Sequence, residues 1–223
     1  MYRERRISVV IPCHNEEKGI PQVIRSLPMS IDEVIVVDSN CSDGTARVSK
    51  ALGATVVAEA NPGYGAAYKA GLPRVSGDIT VTLDGRGVYP AEQIEELVDH
   101  LLDTETDFVS ASRFPLLDPA SMTFSRKLAN MMLATAMMLL YGTAVRDSHS
   151  AMWAYRSNIY PRFKLTSDGM PFSEEIKVEA IRAKDVRFDE YHVNCHQEIA
   201  DARLEKWRDD LKSLFLMVQK RFQ

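Results

Sequence analysis

The feature that most restricts how this chain can fold is an alternation. Short runs of β-branched apolar residues are each followed by a stretch whose apolar residues fall at helical spacing. Ile7 to Ile11 and Glu33 to Val37 are two such runs, separated by a helical stretch from Glu16 to Leu27. A second helical stretch, Thr45 to Leu52, precedes the run Ala54 to Ala58, and a third, around Gly65 to Leu72, precedes Asp78 to Leu83. The pattern continues with a helix from Pro90 to Leu102, a strand from Asp107 to Ser112 and a Met-rich helix from Leu128 to Tyr141. A strand-like Ala151 to Tyr155, a helix from Ser173 to Ala183, a strand near Val186 to Val193 and a basic amphipathic helix from Leu204 to Phe222 complete it. Such alternation predicts an α/β fold: a Rossmann-like, mostly parallel sheet flanked by helices, with ligands beyond the carboxyl ends of the strands. A length of 223 residues suits one domain of this kind.

Three of the predicted strands end in polar loops. Ile11 leads into Pro12-Cys-His-Asn-Glu-Glu17, Val37 into Asp38-Ser-Asn-Cys-Ser-Asp43, and Leu83 into Asp84-Gly-Arg-Gly87, so the three loops are expected to share one rim. Asn15, Glu16, Glu17 and Asp38 are hydrogen-bond acceptors held at strand ends, as recognition of a base and ribose requires, while Asn15 and Asp38 are equally suited to capping helices. In Ser42-Asp-Gly-Thr45 the small and capping residues start the next helix and need no ligand. The glycines of Asn61-Pro-Gly-Tyr-Gly65 permit tight turns and close approach to a ligand, and Lys69 follows one helical turn on; a solvated lysine is the plain alternative.

Charge narrows the partners. With 27 basic and 31 acidic residues the formal charge is −4, which supplies no general field for a polyanion and argues against nucleic acid. Three widely spaced cysteines are not a disulfide framework and suit a reducing, cytoplasmic compartment. The start, MYRERRISVVIP, passes directly into a strand without the apolar stretch of a signal peptide. Leu128 to Tyr141 is too short to span a bilayer core, which needs about 20 apolar residues. Burial in the core is its simpler reading, contact with a membrane surface the other. His192, Cys195 and His196 lack the second ligand pair of a structural zinc site, so zinc is not expected.

The segments VVIPCHNEE, VIVVDSNCSDGT, NPGYGAAYKAG, TLDGRGVYP, SRF, RDSHSAMWAYR, DGMPFSEEIKVEA and ARLEKWRDDL run in this order over nearly the whole chain. Together they resemble glycosyltransferase family 2, of A-type fold, and within it the dolichol-phosphate mannosyltransferase-like polyprenyl-phosphate hexosyltransferases. The resemblance implies one glycosyltransferase domain over 1–223, with a nucleotide-sugar-binding half over 7–114 and an acceptor half with the C-terminal amphipathic helix over 115–223. The implied activity is inverting transfer of a hexose from a UDP- or GDP-linked donor to polyprenyl phosphate, peripheral to the inner face of the membrane. Transfer to a soluble saccharide or protein, or a non-catalytic nucleotide-sugar-binding relative, are the alternatives, and a homo-oligomer is compatible with each. By resemblance Pro12, Asn15, Glu16 and Asp38 contact the nucleotide, Lys69 lies beside the nucleotide-sugar, and Arg113 meets the acceptor phosphate. Arg203 clamps the diphosphate, and the acidic turn at Ser173 to Glu175 lies at the acceptor side.

Two departures matter. Where the family pattern is Asp-x-Asp, two carboxylates engaging Mg²⁺ or Mn²⁺ on the diphosphate, this chain has Asp84-Gly85-Arg86. Asp84 is then the one metal-ligand candidate, and Arg86 either pairs with the phosphates itself or forms a salt bridge with Asp84 that abolishes metal binding. The family's Asp-x-x-Ser-Gly-Phe-Arg reads here from Asp147 with Ala151 and Trp153 in place of the glycine and arginine. Trp153 suits core packing or, less simply, a sugar-stacking face. A phosphate acceptor arrives ionised, whereas a hydroxyl acceptor needs a general base, for which Asp147, Glu174 and Glu175 are the candidates.

Overall fold

The computed structural model describes residues 1–116, 118, 122–195 and 207–223. Within them a seven-stranded sheet has the order β3-β2-β1-β4-β6-β5-β7. The strands are β1 (Ile7–Cys13), β2 (Glu33–Ser39), β3 (Thr55–Glu59), β4 (Ile79–Thr82), β5 (Phe108–Ser112), β6 (Trp153–Arg156) and β7 (Phe188–His192). β1 pairs parallel with both β2 and β4, β2 with β3, and β5 with β7. β6 runs antiparallel between β4 and β5.

Helices cover both faces, which is why the central strands read as continuous apolar runs instead of alternating ones. On one face α1 (Ile20–Ser26) and α4 (Ile94–Asp103) bury Ile20, Val23, Ile94, Leu97, Val98 and Leu101 against β1 and β4. On the other, α3 (Tyr64–Gly71) and α6 (Phe172–Arg182) pack Tyr68, Phe172 and Ile176 around Trp153 and Tyr155. α2 (Thr45–Ala51) links β2 to β3. α5 (Phe124–Tyr141) and α7 (Trp207–Arg221) form an outer layer over α6, joined through Leu133, Met137, Val178 and Met217. α6 is therefore buried nearly all round, although it carries Glu174, Glu175, Lys177 and Glu179.

Several expectations change. The first helix begins at Ile20 and not Glu16, because Pro21 occupies its first turn and Glu16 ends the loop by accepting the Gly19 and Ile20 amides on its carbonyl. The Met-rich helix begins at Phe124, and burial describes only one side of it: Asn130, Leu133 and Met137 are buried while Phe124, Leu128, Met131 and Met138 are exposed. Trp153 is core; it is inaccessible, packs at a tilt against the Tyr68 and Phe172 rings, and donates its indole N–H to the Ser150 carbonyl at 2.9 Å.

Candidate active site

The loops after β1, β2 and β4, three adjacent parallel strands, meet at one rim. Asn15, in the left-handed region at φ 57°, accepts from the Ser42 amide at 2.8 Å, and Glu17 accepts from the Gly44 amide at 3.0 Å. The Glu17 amide in turn donates to Asp43, and the Glu16 amide to the Thr45 hydroxyl. Asp38 closes its own turn by accepting from the Cys41 amide at 2.8 Å. Neither Asn15 nor Asp38 caps a helix: the N-caps of α1 and α2 are Gly19 and Gly44. Gly85 lets the third loop approach the first, since a Cβ there would lie 2.6 Å from the Cys13 sulfur and 3.3 Å from Glu16. Burial pushes the Cys13 thiol far up, and the negative charges of Glu16, Asp84 and Asp38 add to that, a sign that these carboxylates converge on it.

Asp84 follows β4 and lines a cavity that Arg86 also lines. Its carboxylate accepts from the Gly87 amide at 3.1 Å and the Val88 amide at 3.0 Å. Burial raises its pKa, and the Arg86 charge is the largest opposing influence. Among the described residues Asp84 pairs with these amides and not with the Arg86 guanidinium, which is exposed. Among them, too, no three histidine, cysteine or carboxylate side chains come together to hold a metal ion. One amide-bound carboxylate beside a permanent cation does not fit a divalent ion held in the Asp-x-Asp manner.

Arg113 leaves β5 and also lines the cavity. Its Nε and Nη2 donate to the two Asp147 oxygens at 2.7 and 2.9 Å, its backbone amide adds a third bond at 3.0 Å, and its guanidinium lies over the Tyr89 ring. Asp147 is fully buried; burial alone would raise its pKa, but the charge and hydrogen bonds of Arg113 outweigh that and hold it low. Beneath it Lys177 donates to the carbonyls of Asp147 and Ser148 at 3.1 and 2.5 Å, and burial lowers its ammonium to about 8. The Asp147 amide donates to Glu190 of β7 at 3.0 Å.

Glu174, His149 and Asp210 form the wall next to α7. Glu174 Oε2 accepts from the Ser213 hydroxyl at 3.0 Å, whereas Oε1 is buried with no hydrogen-bond partner. His149 Nε2 lies 3.8 Å from Glu174 Oε1 and 3.1 Å from Asp210 Oδ1. Burial raises the Glu174 pKa, with the His149 charge opposing it. The cavity thus joins a rim built from strand ends to a wall of ionisable side chains from α6, α7 and the segment before β6.

A family model for glycosyl transferase family 2 matches residues 8–163, which takes in the whole rim. The chain belongs to that family. Among its relatives is the low-salt glycan biosynthesis hexosyltransferase Agl6 of Haloferax volcanii, 29% identical over 95% of this chain and 53% of that protein. Protein RfbJ of Shigella flexneri is 35% identical over 51% of this chain and 89% of its own length. Against Agl6 and an uncharacterized glycosyltransferase of Mycobacterium bovis, the chain spans about half the length of the relatives it matches. Glucosyl-3-phosphoglycerate synthase from Mycobacterium tuberculosis, solved with UDP, has a TM-score of 0.78 at 23% identity, covering 98% of this chain and 81% of that one. The same enzyme solved with Mn²⁺, UDP and phosphoglyceric acid gives a TM-score of 0.77 at 21% identity. At that identity the likeness speaks for the fold alone, the A-type architecture.

Of the residues singled out in the sequence, Asp84, Arg86, Arg113 and Glu174 line the cavity, and Asp147 lies immediately under Arg113. Pro12, Asn15, Glu16 and Asp38 sit on the adjoining rim. Two readings are corrected. Glu175 does not face the cavity: it accepts from the Thr166 and Ser167 amides at 2.9 and 2.8 Å and pairs with buried Lys220 at 2.9 Å. Lys69 is not the freely solvated lysine of the plain alternative, because it pairs with Asp168 at 2.5 Å. What approaches the glycines before it is the chain's own 167–168 backbone, which a Cβ on Gly63 or Gly65 would strike at 2.2 or 2.3 Å. Arg203 and His196 lie outside the described residues. His149, Arg126, Asp210 and Ser213 line the cavity without a sequence signal that assigned them there.

Proposed function

We propose that the chain transfers a hexose, with inversion, from a UDP- or GDP-linked donor to polyprenyl phosphate at a membrane surface, the 7–114 half holding the donor and the 115–223 half the acceptor. The observation that carries this reading is the single cavity in which Arg86 of the donor rim and Arg113 and Arg126 of the acceptor side all take part. An acceptor phosphate oxygen attacks the anomeric carbon as the bond to the nucleoside diphosphate breaks on the opposite side. Arg86 offsets the charge that develops on the departing diphosphate, a role for which a guanidinium fork is well shaped. Arg113 keeps N–H donors beyond the two that Asp147 engages, and these orient the incoming phosphate. No base is needed, since the acceptor arrives ionised.

One observation favours a second reading, a hydroxyl acceptor. Glu174 Oε1 is buried without a hydrogen-bond partner, with His149 Nε2 at 3.8 Å, and burial raises the carboxyl pKa, the condition of a carboxylate suited to take a proton. The solved neighbour bound to phosphoglyceric acid acts, by its name, on such an acceptor. The test is to supply labelled UDP-glucose or GDP-mannose with a polyprenyl phosphate in detergent micelles, or with 3-phosphoglycerate. Label extracted with the lipid, and retained in Glu174→Gln, is the expected result. Label on the soluble acceptor alone, lost in Glu174→Gln, replaces the first reading by the second, and no transfer at all contradicts both.

A further inference from the structure

α5 and α7 lie side by side, and each is apolar on two opposite faces. The inner faces pack on α6 through Leu133, Met137 and Met217. On the outside of α7, Leu211, Phe215, Val218 and Phe222 recur at i, i+4, i+7 and i+11, and they are 49%, 71%, 39% and 84% exposed. That spacing gathers them into one stripe along the helix, turned away from buried Ser213 and Met217. On α5, Phe124, Leu128, Met131 and Met138 form a matching exposed stripe. A helix that needed only to cover α6 would carry polar residues here.

The fully exposed charges of α7 are cationic, and its half-buried Asp209 is paired with Lys212 at 3.1 Å. The exposed charged residues of α7 are Arg208, Lys212 and Arg221, whereas its acidic residues Asp209 and Asp210 line the cavity. The exposed positions of α5 carry no charge. The chain as a whole has a formal charge of −4, so this face departs from the rest of the molecule. An apolar stripe flanked by cations is complementary to a bilayer with anionic headgroups. A second copy docked by two-fold symmetry would instead set the same cations against one another, while the described carboxylates of α7, Asp209 and Asp210, are already engaged by Lys212 and His149.

We propose that the outer face of α5 and α7 docks on an anionic lipid bilayer. The cavity wall includes Arg126 and Asn130 of α5 and Asp210 and Ser213 of α7, on the inner side of the same two helices, so docking brings the helices that carry that wall to the layer where a lipid-linked phosphate is presented. That purpose rests on the polyprenyl-phosphate reading; the docking itself does not.

The experiment is flotation of the intact protein with vesicles of phosphatidylcholine alone or mixed with phosphatidylglycerol, at low and high salt, beside sizing chromatography. Binding is expected only to the anionic vesicles, weakened by salt. Phe215→Glu, which changes an exposed side chain, is expected to lower the partition coefficient about tenfold or more with an unchanged melting temperature. Equal binding to both vesicles, no binding, or a wild-type dimer that Phe215→Glu splits while vesicles bind neither protein overturns the proposal. Transfer to polyprenyl phosphate in micelles, assayed in parallel, separates the two ideas: vesicle binding without lipid transfer removes the acceptor reading and leaves the docking surface.

Discussion

The strand-end rim and the wall beside α7 meet at one cavity but are held by different physics. At the rim, backbone amides donating to Asn15, Glu17 and Asp43 tie two neighbouring loops, Asp84 closes its own loop, and Arg86 is exposed. At and behind the wall, side chains of opposite charge from distant segments are buried against each other: Asp147 with Arg113 over Lys177 beside the cavity, and Lys220 with Glu175 and Glu179 away from it. Removing one charge from a buried pair leaves its partner stranded at low dielectric, whereas an exposed charge is readily replaced by water. The wall is therefore structural as well as chemical, and the rim can lose function without losing its fold.

The largest effect expected from that contrast is at Asp147. Asp147→Ala strands Arg113 and is expected to cost about 3–5 kcal/mol of unfolding free energy in urea titration. A cost under about 1 kcal/mol would remove the distinction between the two regions. The pH dependence has a definite sign. With its folded pKa held below the ordinary value of 3.8, Asp147 contributes stability that is complete above 3.8 and is lost as pH falls through the folded value.

Next in size, and opposite in kind, is Arg86→Ala. Nucleoside diphosphate binding should weaken by about 1.5–3 kcal/mol while unfolding free energy stays within about 0.5 kcal/mol, read by calorimetry and urea on the same preparation. Loss of both together would make Arg86 a structural residue. A smaller change is expected for Glu174→Gln. Burial raises the Glu174 pKa above the ordinary 4.5, so its ionised form opposes folding at neutral pH and that opposition fades as pH falls toward 4.5. The variant should be the more stable protein near pH 7, with the gap closing in acid. Smallest is Arg47→Ala at the rim, whose pair with Glu17 is exposed; its cost should not exceed about 1 kcal/mol.

The same contrast explains what the sequence disclosed. The rim is made of three contiguous strings, each a β-branched run ending in polar residues, so both its strands and its Asp84-Gly85-Arg86 element are legible along the chain. The antiparallel direction of β6 is not, because Trp153 to Arg156 reads alike in either direction and only its partners decide. Glu174 and Glu175 are adjacent in sequence but about 100° apart around α6, and tertiary packing alone sends one to the cavity and the other to Lys220. Gly63 and Gly65 advertise a close approach without saying whose; the 167–168 backbone takes the place a ligand was expected to fill. α5 is apolar on two sides, and a sequence cannot distinguish a helix buried on both from one with an outer face exposed.

The most direct test of the central claim, that Arg86 takes over at the diphosphate from a metal-binding carboxylate, is calorimetric titration of UDP and GDP with and without Mn²⁺, into the wild type and Arg86→Ala. The account predicts binding of one nucleotide that persists in chelator and collapses in Arg86→Ala. Binding that requires Mn²⁺ and survives the loss of Arg86 would contradict it.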